Sequence, residues 1–120
     1  MKKLFFVIVA LILMTTCVAY ADDNPCKSSG LQSADASIMT VSGSYNRCLC
    51  GVELVPASAD ATLILYDHAS AASGNELAKI LAYTSDIPGG WPPGRGCIEV
   101  NNGIYADVTG TGAAYIVWYK

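Results

Sequence analysis

Apolar and polar positions alternate along most of the chain after its first forty residues, and the alternation predicts strands. In "RCLCGVELV" the pattern puts Cys48, Cys50, Val52 and Leu54 on one face and Leu49, Glu53 and Val55 on the other. "ATLILYD" is a continuous apolar run of strand length, rich in residues that suit a pleated surface. "CIEVN", "IYADVT" and "AYIVWYK" follow, separated by Asn102-Gly103 and by Gly-Thr-Gly. Asn-Gly favours the positive φ angles of tight hairpins. In the last run Tyr115, Val117 and Tyr119 share one face while Ile116 and Trp118 share the other. A strand apolar on both faces is either central in its sheet or covered by a partner.

Other stretches read less sharply. A short strand is expected around residues 38–41. "ELAKILAY" has Leu77, Ile80 and Leu81 at helical spacing, but eight residues among strands favour a strand. "TSDIPGGWPPGRG" is thirteen residues long with three prolines and four glycines, and is expected to be a loop without regular structure. The whole predicts an all-β fold, a small antiparallel β-sandwich or partly open barrel.

The beginning of the chain has a different logic. "MKK" precedes the eleven-residue apolar run "LFFVIVALILM", and "AYA" ends at Ala21 with small residues at the positions signal peptidase reads. Residues 1–21 read as a cleaved secretory signal, too short for a membrane span, with no transmembrane segment expected after its removal. A lipoprotein signal with Cys17 as the lipidated residue is the competing reading, and Thr16 before it fits poorly. Residues 22–37 read as an extended N-terminal arm tied down only by Cys26, and 38–120 as the sandwich domain.

The chain has seven basic and ten acidic residues, a net charge of −3. Losing Lys2 and Lys3 with the signal leaves five basic against ten acidic. Neither a nucleic-acid footprint nor a basic membrane patch is present. Four cysteines remain, Cys26, Cys48, Cys50 and Cys97, and an even count in a small exported chain reads as two disulfides. Cys48 and Cys50 on one strand cannot bridge each other without distorting it. One should therefore reach Cys97 and the other Cys26. Cys-Leu-Cys lacks the spacing of a zinc knuckle, and no metal or other cofactor is expected.

Residues 61–120 resemble a family of small phage-encoded virion proteins of the head-decoration or tail-associated type. The stretches "ATLILYDHASAASGNELAKI" and "NNGIYADVTGTGAAYIVWYK" carry the resemblance. They share a strand ending in Tyr-Asp, an Ala/Ser/Gly turn, a Leu-rich strand, a Gly-Ile-Tyr strand and a Thr-Gly turn before a closing aromatic strand. The resemblance implies an antiparallel β-sandwich with a structural role and no catalytic residues. The export signal and four cysteines depart from the family and point to a cell-surface or secreted relative.

Candidate chemistry is sparse. His68 has Asp67 and Ser70 beside it in a turn, which does not converge a triad, and no enzyme is expected. Asp60, Asp67, Asp86 and Asp107 sit singly, without the ligand density of a calcium loop. Gly94-Arg95-Gly96 lacks the strand and helix of a phosphate loop. Trp91, with Arg95 near it, either presents an aromatic platform or folds back to close the core. The expected function is an exported structural or interaction module meeting a protein partner or a second copy through the exposed face or edge of the last strand, which carries Tyr115, Trp118 and Tyr119, together with the loop of Trp91 and Arg95. A glycan module stacking sugars on Trp91, Tyr105 and Tyr115 or Tyr119 is the alternative.

Overall fold

The computed structural model describes residues 26–43, 47–84 and 88–120. The signal segment, Cys17 and Asp86 lie outside these. Nine strands and no helix occur among the described residues. They are β1 (Lys27–Ser28), β2 (Ala36–Thr40), β3 (Arg47–Val55), β4 (Ala61–Asp67), β5 (Asn75–Ala82), β6 (Gly89–Trp91), β7 (Ile98–Val100), β8 (Gly103–Thr109) and β9 (Ala114–Tyr119).

Two antiparallel sheets result. The first runs β1-β9-β3, and the far edge of β3 is shared by β7 at Arg47, Cys48 and Leu49 and by β6 at Val52, Glu53 and Leu54. The second runs β2-β8-β4-β5. Alternation builds the core between them. Leu63 and Leu65 of β4 and Ile104 and Ala106 of β8 are buried against Leu49, Val52, Leu54, Tyr115 and Val117 of the first sheet. The segment from Asn75 to Ala82 is a strand, as its neighbours predicted, and β9 is central between β1 and β3.

Four local readings are revised. A β-bulge between Leu49 and Gly51 reverses the parity of β3, so Leu49 joins Val52 and Leu54 in the core instead of opposing them. The N-terminal arm is held by more than Cys26. Lys27 and Ser28 pair with Tyr119 and Trp118, and the Ser29 and Gln32 amides donate to the Val117 and Tyr115 carbonyls. Within the proline-glycine stretch, Gly89–Trp91 forms a strand because the edge of β3 offers it a ladder. Asn102-Gly103 is no hairpin turn, since β7 and β8 belong to different sheets and the chain crosses the sandwich there.

That crossing is secured by a buried carboxylate. Asp67, at the end of β4, accepts the backbone N–H groups of Asn101 (3.1 Å), Asn102 (2.6 Å) and Gly103 (3.3 Å). Two disulfides staple the first sheet, Cys26–Cys50 and Cys48–Cys97. The first ties the arm to the bulge of β3, the second ties the start of β7 to the same strand.

Candidate functional site

The six candidate binding residues do not form one cluster. Tyr115 is completely buried, and its hydroxyl donates to the Ala34 carbonyl at 2.7 Å, so it presents no ring to a ligand. Burial, with Asp35 and Tyr105 adding to it, pushes this phenol up to about 12. Tyr119 is half-buried and packs against the core from the end of β9. Tyr105 lies on the outer face of the second sheet, opposite Tyr66 and Ser37. Trp91 and Trp118 belong to strands of the first sheet, and Arg95 stands in the loop that follows Trp91.

Gly51 is where that loop meets the sheet. It faces outward, opposite Trp118 of β9, and the backbone of residues 91–93 lies directly over it. A Cβ at this position would fall 2.7 Å from the Pro93 nitrogen and 2.9 Å from the Trp91 oxygen. Only a residue without a side chain admits this approach. The loop then turns through Gly94 (φ 101°) and Gly96 (φ 127°) and is caught again at Cys97 by its disulfide to Cys48. Residues 92–97 are all exposed, and Arg95 stands at the tip.

Beside this loop is a shallow hollow of about 240 Å³ lined by Glu53, Pro88, Gly90, Trp91 and Pro92. Trp91 pairs with Val52, is half-buried and packs against the core, while also forming part of the hollow's wall. The packing against the core is the reading in which Trp91 folds back to close it. Glu53 is exposed between the buried Val52 and Leu54, and its ladder neighbours are Ile116 and Gly90. The carboxylate has apolar or bare backbone on both sides.

Glu53 is a lining residue of the hollow that sequence reasoning missed. Alternation placed it outward, but the return of β6 alongside β3 brings in residues 36–38 positions away, which no local pattern announces. Asp67 is spent on the Asn101–Gly103 corner. Burial by itself would raise its carboxyl, and the three amide donors outweigh that and lower it below 3.8. Asp60 accepts from the Thr84 amide at 3.0 Å, and His68 Nδ1 accepts from the amides of Ser70 and Ala71. Asp107 is half-buried opposite Ile64. Among the described residues no group of three His, Cys, Asp or Glu side chains is placed to hold a metal ion.

Comparison with known protein families, with curated proteins and with solved structures returns no match.

Proposed function

We propose that this chain is an exported interaction module of the cell envelope or extracellular space, working through surface complementarity and not through catalysis. The observation that carries the reading is the seating of residues 91–93 on Gly51, with the Cys48–Cys97 disulfide at the far end of the loop. An exposed loop clamped at both ends has already lost its conformational freedom on folding, and so binds a partner without that cost. Two disulfides in a small domain suit an oxidising compartment. No helix among the described residues is long and apolar enough to cross a membrane, which accords with the secretory reading of residues 1–21. Kinship of fold with phage virion modules belongs to this proposal, as the source of its structural character.

A photo-crosslinking residue at Arg95 or Ile116, introduced in producing cells, tests the reading, with Thr62 on the opposite sheet as control. Discrete adducts from the first two positions are expected. Adducts no stronger than those at Thr62 would remove the proposal.

A glycan reading is the alternative, with the exposed Glu53 carboxylate hydrogen-bonding a sugar seated in the hollow that Trp91 helps to line. Glycan-array binding lost in Glu53→Ala, a change on the surface that spares the core, would favour it. Tyr105, Tyr115 and Tyr119 take no part in that version.

A further inference from the structure

We infer that the face carrying the hollow pairs with the same face of a second copy, the Arg95 guanidinium of each entering the other's hollow to meet Glu53. This rests on the interaction-module reading and names its partner.

The two groups are complementary and unused within the chain. The Glu53 side chain is exposed, makes no hydrogen bond or ion pair among the described residues, and lines the hollow together with Pro88, Trp91 and Pro92. Arg95 likewise has no partner among them. Its neighbours Gly94 and Gly96 have nothing within 4 Å of where a Cβ would stand, so the loop tip projects clear of the body. The chain without residues 1–21 has five basic against ten acidic residues, so two copies repel at long range unless a local contact is matched in sign.

The chemistry selects arginine. A guanidinium is planar and weakly hydrated, forks onto a carboxylate with two parallel N–H donors, and stacks on an indole or proline face at the same time. The hollow offers the exposed Glu53 carboxylate with Pro88 and Pro92 in its lining, so the charge contact and the stack are both available. A lysine would make the charge contact without the stack.

A two-fold arrangement is part of the proposal. The hollow is lined by Pro92 and the cation stands three residues further along the same loop. A two-fold axis that brings each Arg95 to the other copy's Glu53 forms both pairs at once and closes the assembly as a dimer. Glu99, opposite Cys48 on β7, is the other exposed carboxylate near the loop's base and is the internal competitor for Arg95.

Sedimentation velocity on the exported, oxidised chain tests this. A monomer–dimer equilibrium that weakens with added salt is expected. Arg95→Glu and Glu53→Arg should each raise the dissociation constant by about 30-fold. Combined, they should restore it to within about threefold of the parent. Arg95→Lys should weaken it, and Glu99→Gln should leave it unchanged; circular dichroism checks that each variant is folded. A monomer at every concentration, a dimer indifferent to either single reversal, or a double variant no better than the singles would each overturn the pairing. A monomer whose Arg95 crosslinks to a different protein overturns the pairing alone and leaves the interaction-module reading standing.

Discussion

The amide of Asn102 donates to Asp67 Oδ1 across 2.6 Å, joining residues 35 positions apart. Through this bond the end of one strand in the second sheet holds the corner at which the chain arrives from the first. Asn101 and Gly103 add their amides to the same carboxylate. A buried charge is tolerated here because three fixed backbone amides converge on Oδ1 and one of them also reaches Oδ2, an arrangement that keeps a buried carboxylate ionised.

Asp67→Asn is expected to destabilise the domain by about 2–4 kcal/mol, since one carboxylate oxygen becomes an NH₂ that faces amide donors. Urea unfolding measures this. The pH dependence follows from the lowered carboxyl. Its contribution is fully present above the ordinary value of 3.8 and is lost as pH falls through the depressed value in the folded chain. The variant should show a flatter acid limb than the parent, and parallel acid limbs would contradict the role given to Asp67.

How much of this was legible beforehand depends on the residue. β4 was readable as a strand from its continuous apolar run of strand length, and β9 from its two apolar faces, which mark a strand that is central or covered. In "CLCGV" every position is apolar or bare, so the inserted residue at the bulge leaves no mark and the parity of Leu49 was misassigned. "GGW" has little intrinsic strand preference and becomes a strand only because the open edge of β3 lies beside it. The disulfide options were narrowed to two by pleat geometry, and spatial proximity selected Cys26–Cys50 with Cys48–Cys97. Trp91 and Arg95 were visible as candidates by composition, whereas Glu53 needed the sheet to be assembled.

Tyr115 supplies a second test. Its hydroxyl bond to Ala34 fastens the arm above the core, and Tyr115→Phe leaves that carbonyl without its donor. A loss of about 1–1.5 kcal/mol is expected. The phenol, pushed up from 10.0 to about 12, keeps its proton in the folded chain after the unfolded chain has begun to lose it. Its contribution is therefore intact below pH 10 and fades as pH rises from 10 to 12. Denaturant midpoints across that window should fall more steeply for the parent than for the Phe variant.

The disulfides should separate by region. Removing Cys26–Cys50 opens a loop of 24 residues and removing Cys48–Cys97 one of 49, with expected losses of about 3 and about 4 kcal/mol on the chain-entropy account. Hydrogen exchange locates the damage. Without Cys26–Cys50 the Tyr115 and Val117 amides, which donate to Gln32 and Ser29 of the arm, should exchange faster while β4 and β8 stay protected. Without Cys48–Cys97 the change should appear at Ile98, Glu99 and Val100. Uniform loss of protection in both variants would mean the staples act on the whole fold and not on these segments.

Gly51 offers the sharpest test of the clamped loop. A methyl group there meets backbone on three sides, the Pro93 nitrogen at 2.7 Å, the Pro92 carbonyl carbon at 2.9 Å and the Trp91 oxygen at 2.9 Å. None of these atoms can swing aside as a flexible side chain would, so either β3 or the loop must shift. Because β3 is held on both edges by ladders while residues 92–97 are exposed, the loop is the element that yields. Gly51→Ala should cost about 1–3 kcal/mol, the usual range for overpacking a well-fitted site. Lifted from the sheet, the loop should also become a better protease substrate, since cleavage requires local backbone freedom. Trypsin should therefore cut after Arg95 several-fold faster in the variant, with Lys27, Arg47 and Lys79 protected in their strands. Equal cleavage rates with an unchanged unfolding midpoint would mean that Gly51 does not seat the loop.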